Sequence, residues 1–310
     1  MIYTVTGAIK KEALGMTLSH EHIAWDGGDD NEQMYFDRIY DEDKTEAMFK
    51  LLSPLFGKLS EAGCRSVVEA SPPEGWQNLK LMQKLSKASG VSLIANTGMI
   101  FSKNVFRVHR ELFDTELAER WISDFENGLD SVNGIVIKPA FIKIFMSKGK
   151  LPEVDKNILK AAIIASKATG MPVHCHIMEA ATAEEVMELL DGERFDMSKF
   201  LWAHACNEGN LGVIEKAAAK GMWLGFDMIK RGTYDKHLSL IREAIAKGYE
   251  NKILLSQDYD FYEETKAWPG DNPCISLFSE FVPHCIENGI SREVLSGILI
   301  QNPADYLDMK

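Results

Sequence analysis

No stretch of this chain approaches the apolar length that spans a bilayer. Its opening, Met1-Ile2-Tyr3-Thr4-Val5-Thr6, lacks the basic segment and apolar core of a secretion signal. Basic charge is scarce too. The 34 Lys and Arg stand against 46 Asp and Glu, a net charge of −12, which excludes a generic nucleic-acid or membrane-surface binder, because both need a basic face. Cys64, Cys175, Cys206, Cys274 and Cys285 are odd in number and contain no Cys-x-x-Cys pair. Neither a disulfide framework nor a zinc ribbon is encoded, and reduced thiols in the cytoplasm are expected. Internal repeats, low-complexity tracts and a Pro/Ser-rich linker are missing as well. So is a Gly-x-Gly-x-x-Gly behind the first strand, which argues against an open dinucleotide-binding sheet.

What the chain does have is an alternation of short apolar runs with longer amphipathic stretches. The runs are Thr17–Ile23, Ser66–Ala70, Val91–Thr97, Phe141–Phe145, Pro172–His176, Phe200–Ala203, Trp223–Phe226 and Ile253–Ser256. Most are apolar or β-branched over four to seven residues, as strands covered on both faces should be. Helical patterns such as Lys44–Ala62, Leu79–Ser89, Asp155–Thr169, Ala183–Leu190 and Asp235–Lys247 lie between them, several closed by a glycine, as at Ser89-Gly90 and Thr169-Gly170. Eight strands each followed by helical sequence predict an α/β chain folded as a (β/α)8 TIM barrel, one domain over residues 1–310, with the first fifteen residues as a short β cap.

In such a barrel chemistry sits at the C-terminal ends of the strands. His20 and His22 are two residues apart on the first strand, so both imidazoles point to one face and can reach one point, a geometry that suits a metal ion. Lys143, His176, His204 and Asp258 fall at the ends of later strands. Four histidines, a lysine and an aspartate on one rim are hard to explain by packing. Lys138 competes with Lys143, but it precedes Pro139 at the start of its strand and is expected to be solvated. His174, two residues before His176, faces the same way but deeper, as a core group or a support for the ligands. His109, His237 and His284, among charged neighbours, are expected on the surface.

These residues carry a resemblance over nearly the whole chain. Gly15-Met16-Thr17-Leu18-Ser19-His20-Glu21-His22-Ile23, Val67-Val68-Glu69-Ala70-Ser71-Pro72, Asn96-Thr97-Gly98, Phe141-Ile142-Lys143-Ile144, Pro172-Val173-His174-Cys175-His176, the segment from Gly248 to Asp258 and Gln301-Asn302-Pro303 resemble the phosphotriesterase-like branch of the amidohydrolase superfamily. The His-Glu-His and Leu-Leu-Ser-Gln-Asp segments are the specific ones. The resemblance implies two divalent metal ions, zinc first with manganese or cobalt open. His20, His22 and Asp258 would hold the buried one and His176 with His204 the exposed one, bridged by Lys143 carboxylated with carbon dioxide. Two cations would acidify a water between them and polarise the substrate, and Asp258 would take the released proton.

Relatives of this branch that act on phosphorylated sugar lactones carry a basic residue and a tyrosine in the loop after strand seven. Arg231 and Tyr234 share that spacing, with Lys230 beside them, so an anionic small-molecule substrate is expected. Lys148 and Lys150 form a weaker second candidate. Departures weaken the phosphotriester reading: Met228 stands where organophosphate-hydrolysing members have a relay histidine, Asn207 where they continue it with an aspartate, and Gly75-Trp76-Gln77 where many relatives have Gly-Arg-Asp. The expectation is a binuclear hydrolase that opens a lactone, a phosphorylated sugar lactone for preference. An unphosphorylated lactone, carboxylic ester or phosphotriester hydrolase is the alternative, and a ligand-binding barrel with little catalysis the reading from another class. Metal identity and oligomeric state, a homodimer included, stay open.

Overall fold

The computed structural model describes residues 1–24, 40–73, 77–99, 114–207, 209, 211–263 and 273–309. A hairpin of β1 (Ile2–Thr4) and β2 (Gly7–Ile9) opens the chain, as the expected cap. Then come β3 (Thr17–Glu21), α1 (Glu42–Glu61), β4 (Ser66–Glu69), α2 (Leu79–Ser89), β5 (Ser92–Ile94), β6 (Asn96–Met99) and α3 (Asp114–Asn127). A second hairpin, β7 (Asp130–Val132) with β8 (Ile135–Ile137), was not expected. It precedes β9 (Phe141–Phe145), α4 (Glu153–Thr169), β10 (Val173–His176), α5 (Ala180–Gly192), β11 (Phe200–Ala203) and α6 (Leu211–Ala219). The last barrel elements are β12 (Trp223–Phe226), α7 (Tyr234–Lys247) and β13 (Ile253–Leu255), followed by short helices ending in α8 (Asn302–Leu307).

All barrel pairs are parallel: β3-β4-β5 form one ladder, and β6-β9-β10-β11-β12-β13 the other. The third strand, expected as one run Val91–Thr97, breaks at Ala95. Beyond the break the Asn96 side chain bridges to the second strand instead, its Nδ2 donating to the carbonyls of Glu69 (2.7 Å) and Ser71 (3.0 Å). The ring closes without a regular ladder. Ser19 Oγ donates to Leu255 O (3.0 Å), and past β13 the amides of Asp258, His22 and Phe261 bond to the carbonyls of His20, Tyr259 and His22.

Apolar residues on both strand faces form two cores. The outer one, between sheet and helices, includes Ile142, Ile144, Val173, Trp202, Leu224 and Leu255. The inner one fills the barrel floor with Val68, Ile94, Phe141, Leu201, Trp223 and Leu254, plugged from below by Ile2, Leu14 and, from α8, Ala304, Tyr306 and Leu307. The floor is packed, and a polar layer sits above it, at the strands' C-terminal ends.

Gly98 pairs with Lys143 across the β6–β9 ladder at φ +124°, and a Cβ there would lie 1.9 Å from the Lys143 carbonyl oxygen. Gly98→Ala is therefore expected to cost about 3 kcal/mol in a urea melt, from overpacking and a backbone that other residues avoid. A wild-type midpoint would show that the strand can part here.

Candidate active site

Along the barrel wall the inward positions change character on going up. Phe141 is followed by Lys143, Leu201 by Ala203, Trp223 by Gly225 and Asp227, and Leu254 by Ser256 and Asp258, while His174 leads to His176. On β3 an irregularity between Leu18 and Glu21 shifts the register against β4, and His20 and His22 both face Asp258 at the neighbouring end of β13. His204 and Asp258, just past β11 and β13, have φ of +68° and +52°. Non-glycine residues adopt this left-handed region at a cost, and here it turns two strand ends so that both side chains enter the ring.

The six expected residues come together. Asp258 Oδ1 lies 3.5 Å from His20 Nε2 and 3.2 Å from His22 Nε2, and its Oδ2 is 3.9 Å from His204 Nδ1. Lys143 Nζ is 3.1 Å from His20 Nε2, and His204 Nε2 is 2.7 Å from His176 Nδ1. His174 sits under them as expected, level with Lys143, its Nε2 at 3.2 Å from His20 Nδ1.

Asp227, to which the sequence reading gave no role, organises two of these histidines. It is buried, with Oδ2 at 3.2 Å from His20 Nδ1 and Oδ1 at 2.8 Å from His204 Nδ1, and it also accepts the His204 amide. His22 Nδ1 is held at 2.8 Å by Ser71 Oγ, whose amide donates to Glu69. On His20, His22 and His204 each Nδ1 thus has an outward partner, which leaves those three Nε2 lone pairs facing inward, whereas His176 turns its Nδ1 toward His204. An inward place on strand seven was the signal available for Asp227; Ser71 had none.

Burial pushes the Lys143 amine down to about 8, against the pull of the Asp258 and Asp227 carboxylates. It pushes His20 down to about 4, helped by Lys143. Burial also acts against charge on His204, but the Asp227 carboxylate overrides it and holds His204 above its ordinary value. Asp258 stays below the usual carboxylate range in spite of burial, because His20 and His22 face it. Inward imidazole lone pairs, a carboxylate and a lysine easily made neutral are a donor set that fits divalent cations. Two groups, His20 with His22 and Asp258, and His20 with His204 and Asp227, each have their ligand atoms within 4.8 Å of one another.

On the rim, Arg231 forms a two-point ion pair with Glu280, Nε to Oε2 at 2.9 Å and Nη2 to Oε1 at 2.5 Å, and the Tyr234 hydroxyl donates to the same carboxylate at 3.1 Å. Lys230 is exposed next to them, and Lys148 and Lys150 are exposed past β9. Asn207 Nδ2 rests against Met228 Sδ at 3.1 Å and Met178 Sδ at 3.7 Å. Lys138 lies apart from these residues, over Tyr3 and Phe125, with its Nζ on Glu126 O. His237 is a correction: it is buried, its ring nitrogens 2.9 Å from Thr233 O and 2.8 Å from Asp227 O, because α7 turns its first turn onto the loop after β12. His284 pairs with Asp235 near the surface. His109, Gly75 and Trp76 lie outside the described residues. The five cysteines are free and buried, and no helix among the described residues is long and apolar enough to cross a membrane.

The phosphotriesterase family profile matches residues 1–307. Similar chains include an aryldialkylphosphatase of Saccharolobus solfataricus, 26% identical over 96% of each chain, and the phosphotriesterase homology protein of Escherichia coli, 25% identical over 94% of this chain and 97% of that one. An N-acetyltaurine hydrolase of Xenopus tropicalis is 23% identical over 100% of this chain and 98% of its own. With the barrel and the His/Asp clusters in place, the chain belongs to the phosphotriesterase family and is a metal-dependent hydrolase.

Proposed function

We propose that this hydrolase opens a lactone, and that the lactone carries a phosphate, as a phosphorylated sugar lactone does. Two divalent cations, zinc first with manganese or cobalt open, would be held by His20, His22 and Asp258 and by His176 and His204, with carboxylated Lys143 between them. Bound there, they would acidify a water and polarise the substrate carbonyl. Asp258 accepts the proton released on attack, and Asp227 keeps His20 and His204 turned inward.

The observation that carries the lactone reading is that, among the described residues of this part of the rim, Asn207 rests on Met228 and Met178, none of which can be titrated. A free leaving group would want a proton donor on that side. A lactone's alkoxide stays tethered, and Asp258 can return the proton it has taken. The test is a pH-indicator screen of phosphorylated and plain aldonolactones against zinc-loaded protein. Two bound metals without turnover of any lactone or ester would favour a ligand-binding barrel instead. A second reading, an amide with a sulfonate, is favoured by the N-acetyltaurine hydrolases among the relatives.

The phosphate reading rests on Arg231 and Tyr234, whose donors converge on one carboxylate, Glu280, and could converge equally on a substrate oxyanion. Arg231→Met is expected to lower kcat/KM on phosphorylated lactones by about 2 kcal/mol, the scale of a lost charge-assisted bond. Plain lactones should be turned over as by wild type. Equal losses on both classes would mean that the Arg231–Glu280 pair supports the fold.

A further inference from the structure

Glu21 stands between His20 and His22 and faces away from them. It is 0% exposed, a costly place for a carboxyl group unless its oxygens are satisfied. They are: Oε1 accepts from Ser256 Oγ at 2.6 Å and from the Gln257 amide at 2.8 Å, and Oε2 accepts from the Tyr259 amide at 2.7 Å. All three donors belong to the segment that carries Asp258, and two are the amides on either side of it. The loop is tied to β3 twice more, by the His20 amide on Ser256 Oγ (2.8 Å) and the Asp258 amide on His20 O (3.1 Å).

Asp258 itself is left-handed at φ +52°, a conformation that needs its surroundings to hold it. Past β13, which ends at Leu255, the Glu21 carboxylate takes the amides of both Gln257 and Tyr259. We propose that Glu21 is a positioning residue that fixes the backbone around Asp258 and so aims its carboxylate at His20 and His22. The middle residue of the His-Glu-His segment would thus set the place of a ligand from the other end of the chain. This rests on the reading of Asp258 as metal ligand and proton acceptor.

Glu21→Gln keeps the size but offers one acceptor oxygen and an NH2, so one of the three donors meets a donor. The test is zinc affinity by competition with a chelating indicator, on wild type, Glu21→Gln, Asp258→Asn and the double variant, with folding checked by circular dichroism. Glu21→Gln is expected to weaken the zinc site about tenfold, and the double variant to bind no more weakly than Asp258→Asn alone, since Glu21 acts through Asp258. Additive losses, or wild-type affinity in Glu21→Gln, would overturn the proposal. Should Glu21→Gln not fold, Ser256→Ala removes one donor and keeps the carboxylate; a twofold to threefold loss that vanishes in the Asp258→Asn background supports the clamp, and no loss overturns it. If Asp258→Asn binds zinc as wild type does, the ligand role fails first. The clamp is then decided by a crystal structure of Glu21→Gln, where an Asp258 still at positive φ overturns it.

Discussion

Lys143→Ala should leave a folded protein that has lost most of its bound metal and at least about a hundredfold in activity, more than the loss of an outer partner brings. The side chain is 2% exposed, flanked by Phe141, Ile142 and Ile144, with Nζ 3.1 Å from His20 Nε2. An ammonium has no lone pair for a metal and is costly in that place. Burial favours the neutral amine, and on the proposed reading that amine would add carbon dioxide and release a proton to give a carbamate, whose two oxygens would serve the cations. Alanine removes the group and leaves room for it. Acetate or propionate should restore part of both metal and activity by supplying a carboxylate. Metal content by mass spectrometry and turnover, each with and without the acid, decide the matter. Full activity in the unrescued variant would sink the bridging reading.

Asp258→Asn should lower turnover by about two orders of magnitude or more while KM changes little. The asparagine keeps the shape and the oxygen that faces His22 Nε2 at 3.2 Å, but it cannot take a proton. His20 and His22, facing it, hold the native carboxyl below its usual range in spite of burial, so on the proposed reading a proton acceptor would be ready before substrate arrives. Steady-state kinetics on whichever substrate the screen finds provide the check. Unchanged turnover would assign the proton to another group.

The barrel was legible because its strands are apolar on both faces and its helices on one. Leu79–Ser89 was read with the bounds the structure gives, and α4 and α7 differ from expectation only at their first residues. The candidate ligands were legible because period-two alternation puts His20 with His22 and His174 with His176 on shared faces. Contacts between distant segments were not. Glu280 lies 49 residues beyond Arg231, and nothing local marks it as the partner of that guanidinium. Asp227 looks like any aspartate at a strand end until two imidazoles are seen on its two oxygens. His237 was placed on the surface because its neighbours are charged, yet on a helix a charged neighbour shares its turn and not its face. The break of the third strand turns on Asn96, whose side chain does the work of a backbone amide.

The closure of the ring has a consequence for how the protein comes into being. Ser19 and Leu255, 236 residues apart, meet at the one place where the first and last barrel strands join, and the same seam carries His20 and His22 on one side and Asp258 on the other. During synthesis the two histidines emerge early and wait for nearly the whole chain before the aspartate exists. Contacts of such sequence separation form late, because the loop entropy is spent before they return anything. No folding intermediate with an open barrel can therefore hold the complete constellation. On the proposed reading hydrolytic competence would arrive only with the last strand, and a chain cut short of it would carry candidate ligands without the aspartate that completes them.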